Sequence, residues 1–476
     1  MFPNPQDALP LPHRPNLERY KNLAKDLLKA CKSADSSAIR AWAERWVESL
    51  ATLADVKITP ELPARLDRWT DGVEAFVRRK LLEANTKDAS QEVPPEGTHC
   101  TLAGAQFVIA RSHGFESWPR FAKHIEALGR TNSPVSNFEA AADAVVAGDL
   151  PTLERLLRED PALARANSTR EHGATLLHYV SANGVEGYRQ RTARNAARVA
   201  EFLLNAGAEV DATANVYGGG ATTLALVATS IHPERAGVQD ELLALLLSRG
   251  AKMKTDSGSV DSAESGRVND ENATSAPGIR ATNRLPLVNA CLANGRSHAA
   301  EFLAHRGAAL DLEAACGVGA LEALANFFHE DGSLKATATT IQMERGFLWA
   351  CEYGRTSVID FLLEKRIDLE SQANTGQKAM HWAVIGGQCD TIKLLIARGA
   401  SIESRNVYGG TPLGQALWSA VNADTGIDYV RVIEILLAAG AKVEEDSLAW
   451  LAKQDARSSS VKQRIAELLR QHGTKP

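Results

Sequence analysis

Residues 203–210 read LLNAGAEV: two apolar residues, two variable ones, Gly-Ala, and a short extended tail. The pattern returns as LLSRGAKM at 246–253, LAHRGAAL at 303–310, LLIARGASI at 394–402 and LLAAGAKV at 436–443. LLEKRIDL at 362–369 is a variant with Arg366 at the glycine place, and LLRQHGTK brings a last copy to Gly473. The marked positions 207, 250, 307, 366, 399, 440 and 473 are 43, 57, 59, 33, 41 and 33 residues apart. A unit of 33 with insertions accounts for the set. Glycine here stops an apolar-periodic helix, because the left-handed position after a helix end costs glycine least.

Each unit has one grammar. A small-residue helix such as WACEYG (349–354) leads through a tight turn to an apolar helix such as SVIDFLLEK (357–365). The interval of 57 holds a Ser/Asn/Gly-rich run that cannot supply a core, expected as an insertion over about 255–280. The interval of 59 holds an extra helix pair in LEAACGVGALEALANFF (312–328).

The first helices carry GATLLHYV (Gly173–Val180), GATTLALV (Gly220–Val227), GQKAMHWA (Gly376–Ala383) and GGTPLGQA (Gly409–Ala416). These stretches resemble the ankyrin repeat family, whose first helix has the signature T-P-L-H-x-A. No unit has every signature residue. Thr caps the helix, Pro suits the position after it, and His ties the turn backbones together. The resemblance covers residues 137–474 and implies an all-α solenoid of eight or nine helix pairs joined by short hairpins.

Residues 15–130 read as a helical N-terminal domain that caps the repeats, with a tail over 1–14 and a linker over 131–136. NLERYKNLAKDLLKACKS and SAIRAWAERWVESLATL have apolar positions three and four apart. TPELPARLDRWTDGVEAFVRRKLLEA is a third helical region starting at a Thr cap, and NTKDASQEVPPEGTH is a polar linker. In ARSHGFESWPRF, Gly114 closes one helix, Ser117 caps the next and Pro119 fits its opening turn. That pattern resembles a region seen before ankyrin repeats in bacterial proteins.

The chain has 476 residues, net charge −5 and six cysteines. Nothing in that balance is a basic footprint for nucleic acid. The first 20 residues lack the plan of a signal peptide, and no apolar run is long enough to cross a membrane. The cysteines are widely spaced without C-x-x-C, and read as small buried thiols in a reducing cytoplasm. We expect a monomer without a cofactor.

Function is read from exposed aromatics. NVYGGGATTL (Asn215–Leu224) lacks the lysine and spaced glycines of a phosphate loop, and NVYGG recurs at Asn406. It reads as a hairpin tip. Tips and first helices form the binding surface that the resemblance implies. Tyr217, Tyr408 and His172 fall at tips; Tyr353, Ile385 and Trp418 fall at variable first-helix positions. Trp382 and Tyr179 read as core. The expectation is a non-enzymatic scaffold that binds a protein partner on its concave face.

The alternative is a small-molecule pocket or enzyme built by insertions at 185–198, 231–240 and 421–428. Tyr188, Arg189, Arg191 and His232 would hold an anionic ligand there, because guanidinium forks match carboxylates and phosphates. A zinc site from His172, His178 and His232 is conceivable, but no spacing demands one. We find no catalytic motif and assign no catalytic or metal residue.

Overall fold

The computed structural model describes residues 7–12, 15–33, 35–53, 62–82, 100–130, 132–253, 285–373, 375–423, 426–454 and 459–473. The inserted run at 255–280, the Thr cap before the third helical region and the linker at 85–99 lie outside them. The architecture is mostly helical, and the chain divides into two compact units, Met1–Leu287 and Val288–Pro476.

The first unit opens with α1 (Leu17–Cys31), α2 (Ala38–Leu53) and α3 (Leu62–Val77), the last continued by a π-helical turn at Arg78–Leu82. Asn16 caps α1 by accepting from the Glu18 amide at 2.9 Å. α4 (Leu102–Ser112) and α5 (Trp118–Leu128) follow. Tyr20, Trp42, Trp46, Phe115 and Phe121 form an aromatic core, in which the His113 ring stacks on Phe121 with centroids 5.3 Å apart. The expected tail joins this core over part of its length. Ala8, Leu9 and Pro10 are buried, the Leu9 amide bonds to the Ser112 carbonyl at 2.8 Å, and the Leu9 carbonyl takes His113 Nδ1 at 3.0 Å.

Gly114 (φ +83°) closes α4, and Pro119 stands in the first turn of α5. Ser117 occupies the cap position but makes no side-chain capping bond. α6 (Pro134–Ala147) starts inside the expected linker, because Ser133 caps it through the Ser136 amide at 3.0 Å and proline suits the first turn. α7 (Leu150–Glu159), a 3-10 helix at Leu176–Ser181 and α8 (Ala196–Asn205) come next. β1 (Thr213–Ala214) and β2 (Ala221–Thr222) pair antiparallel, Thr213 opposite Thr222, at the base of the NVYGGG hairpin. α9 (Thr223–Thr229), α10 (Ile231–Arg235) and α11 (Gln239–Ser248) complete the unit's described elements.

The second unit stacks helix pairs: α12 (Leu287–Ala293, its first residue on the unit boundary) with α13 (Ser297–His305), α14 (Leu312–Val318) with α15 (Leu321–Ala325), and α16 (Thr340–Glu352) with α17 (Thr356–Glu364). α18 (Ala379–Ile385) with α19 (Cys389–Ala397), α20 (Pro412–Asn422) with α21 (Tyr429–Ala438), and α22 (Ser447–Lys453) with α23 (Ser459–Gly473) follow. One apolar core runs through this stack from Leu312 to Leu469.

The repeat signature has a direct backbone cause. Gly207, Gly250, Gly307, Gly399 and Gly440 follow their helices with φ between +84° and +96°. Arg366 takes the same left-handed region at +63°. Gly473 differs, being the last residue of α23. The signature histidines are structural. His178 Nδ1 accepts from the Thr175 amide at 3.1 Å while Nε2 reaches the Ala221 carbonyl at 3.2 Å, tying one turn to the next. His381 does the same with the Lys378 amide (3.3 Å) and the Gly410 carbonyl (3.0 Å).

Candidate functional site

The hairpin before α20 is held rigidly and shows its side chains to solvent. Asn406 Oδ1 accepts from the amides of Tyr408 (3.0 Å) and Gly410 (2.9 Å), and the Val407 amide bonds to the Thr375 carbonyl of the preceding tip at 3.1 Å. Gly409 supplies the positive φ (+78°) that closes the turn. Tyr408 is 80% exposed, Val407 65%, and Trp418 on α20 53%. Large apolar side chains left in water on an ordered scaffold are the unusual feature of this surface. Val407 was missed in the sequence, where a β-branched residue in NVYGG passes for part of a strand edge.

The other expected contact residues are drawn inward. His172 is at a turn but buried, accepting at Nδ1 from the Ala174 amide (3.0 Å) and placing Nε2 3.5 Å from Glu186. Tyr217 is half-buried, because its own φ of +52° turns the ring back and its hydroxyl donates to Asn183 Oδ1 at 2.6 Å. Gly218, Gly219 and Gly220 all have positive φ, a run of turns that residues with a Cβ would resist. Tyr353 is half-buried and donates to the Leu292 carbonyl, and burial pushes its hydroxyl well above the ordinary range. Ile385 is half-buried, its carbonyl accepting from the Tyr429 hydroxyl at 2.8 Å. Of the six, Tyr408 and Trp418 present an open surface.

Two of the four residues expected to hold an anion, Tyr188 and Arg189, are engaged inside the fold. Arg189 is buried and its carboxylate partners are the chain's own: Glu139 at 2.8 Å and Asp143 at 2.8 Å, both on α6. Arg170 bonds to Glu139, lies 2.8 Å from Glu186, and donates to the Tyr188 hydroxyl at 3.2 Å. Burial works against the Glu139 carboxylate, but Arg170 and Arg189 hold it down at about 2; burial likewise opposes Glu186, and the same two cations hold it well below its usual range. Tyr188 and Arg189 are thus spent on an internal ion network. The Arg191 side chain is exposed, and His232 lies half-buried on α10 outside this network.

Among the described residues no group of His, Cys, Asp and Glu could hold a metal ion. His178 uses both ring nitrogens in the turn bonds above. A cavity of about 290 Å³ opens between α1 and α2, walled by Trp42, Trp46, Leu23 and Leu50 with Arg19 and Asp26 at its edge. It lies away in sequence from all three insertions. The buried thiols are Cys31, Cys100, Cys291, Cys316 and Cys351, while Cys389 is half-buried. No described helix is long and apolar enough to cross a membrane.

One further residue has no sequence signal. Glu352, at the end of α16, is half-buried, and its side chain takes no hydrogen bond or ion pair among the described residues. Burial pushes its carboxyl up to about 8. A side chain at Gly386 would stand 1.8 Å from the Glu352 carbonyl oxygen, so glycine lets the end of α18 close on it.

Comparison with known proteins bears on the second unit above all. Residues 287–406 and 347–447 match the family model described as ankyrin repeats (3 copies). Over 95 residues, 20% of the chain, it is 30% identical to the ankyrin repeat and KH domain-containing protein mask of Drosophila melanogaster. Those residues span 2% of that relative's length. The crystal structure of the human ASB11 ankyrin repeat domain is similar with 17% identity and a TM-score of 0.31, covering 64% of this chain and 99% of that one.

Proposed function

We propose, from the premise that this chain is an ankyrin-repeat protein, that it binds a protein partner on the face carrying Tyr408, Val407 and Trp418. Ankyrin repeats are protein-interaction modules and typically non-enzymatic. The observation that carries the finer reading is the exposure of two large aromatic side chains on one repeat, 80% and 53%, beside a hairpin whose backbone is fully tied down. Tyr and Trp anchor interfaces because each buries a large area while fixing few torsions, and a preordered tip loses little freedom on binding. On this reading the concave face formed by α16, α18 and α20 with the preceding tips is the docking surface.

The insertion at 185–198 lends a ligand pocket no support from Tyr188 and Arg189, which are engaged within the fold. The test is affinity capture with the full chain. A partner retained by the wild type should be lost with Tyr408→Ala and Trp418→Ala combined, while the far-ultraviolet spectrum is unchanged. Equal retention by the double variant would overturn this surface.

A further inference from the structure

Glu352, Ile385 and Trp418 occupy the same place in three successive first helices, within WACEYG, WAVIGG and QALWSA. α16 packs on α18 and α18 on α20, so the three side chains form a row across the stack. Two members of the row are apolar. The third is a carboxylate that is half-buried and, among the described residues, unpaired. Basic residues of these repeats have other partners: Arg355 bonds to Glu301 and the Gly317 carbonyl, Lys378 to Glu370, Arg398 to Asp360, and Arg405 to Glu444.

Glu352 has no counter-charge, and burial raises its pKa to about 8, so near neutral pH the free protein holds it largely protonated, and an arriving cation would draw it into the charged form. An acidic group without a counter-charge, at the repeat position where Trp418 is exposed, has a natural complement in an incoming cation. We propose that Glu352 is the acidic subsite of the docking face, and that the partner is a polypeptide segment placing a lysine or arginine on Glu352 and a bulky apolar side chain on Trp418. This rests on the surface proposed above. Packed helices stand about 8–10 Å apart, so the two subsites are roughly 16–20 Å from each other. An extended segment covers about 3.3 Å per residue, which puts the basic residue about five or six positions from the apolar one.

Display of random 16-residue peptides against the full-length chain tests this, followed by titration of the selected synthetic peptides. The selected sequences should share a Lys or Arg at that spacing from an apolar residue. Glu352→Gln should weaken their binding about tenfold or more, and replacing the peptide cation by Gln should cost nothing further in that variant. Because Glu352→Gln replaces an unpaired, largely protonated carboxyl by a neutral amide of the same shape, it should melt no lower than the wild type, which separates lost binding from lost folding. Peptides that require Trp418 but bind Glu352→Gln unchanged would overturn the acidic subsite and leave the surface standing. Peptides indifferent to Trp418→Ala, or no selected peptide at all, would overturn the surface and the subsite together.

Discussion

Arg366 holds φ at +63° where its five sister positions carry glycine. A Cβ in the left-handed region costs about 1–2 kcal/mol, partly offset because glycine loses more freedom on folding. Arg366→Gly should therefore stabilise the chain by roughly 0.5–1 kcal/mol, read as a raised midpoint in urea with an unchanged slope. An unchanged or lowered midpoint would mean that the Arg366 side chain contributes more than its backbone costs. Positive φ is also why so much of the fold could be read from sequence. A left-handed backbone leaves a visible residue behind it, and so does a capping Thr such as Thr411, whose Oγ1 accepts from the Gly414 amide at 3.1 Å. Tyr217 was misread for the complementary reason: its hydroxyl partner Asn183 is 34 residues away, and no local pattern announces it.

At the scale of elements, the strongest unforeseen feature is the ion network that joins α6 to the turn at Arg170 and the segment Glu186–Arg189. Its pairs are 31 and 50 residues apart, so no local pattern links Glu139 to Arg170 or Arg189, and Arg189 read as a cation available to an anionic ligand. Removing one member of a buried pair leaves the other uncompensated. Arg189→Met should cost about 3–5 kcal/mol in urea denaturation. The same unit buries three imidazoles in the neutral form. Burial lowers His113 to about 3, and His124 and His178 to about 4. Each folded value lies below the unfolded one, so the stabilisation is complete above pH 6.5 and drains away as pH falls towards 4 and then 3. Glu139, held at about 2, adds a loss that starts below pH 4.5. Urea midpoints should thus fall steeply from pH 6.5 to 4, and His178→Asn should flatten that slope. A flat acid limb in the wild type would count against all three histidines being buried uncharged.

For the whole molecule, the question is whether the second unit sustains itself. Repeat proteins derive stability from contacts between neighbours, and about three repeats suffice. The core from Leu312 to Leu469 runs without interruption through α14 to α23, with Phe347, Ile359, Leu395, Ile433 and Leu469 essentially inaccessible to water. α23 buries Ile465, Leu468 and Leu469 in that core and leaves Arg464 and Arg470 exposed. A fragment of residues 285–476 should then fold alone as a helical body and lose its circular dichroism in one cooperative transition in urea. Because Tyr408, Trp418 and Glu352 all lie within it, the same fragment should bind the peptides selected on the full chain with affinity within about threefold. A fragment that is helical but melts without cooperativity would show that the continuous core is not enough. Full cooperativity with lost peptide binding would show that the fragment alone does not make up the docking face.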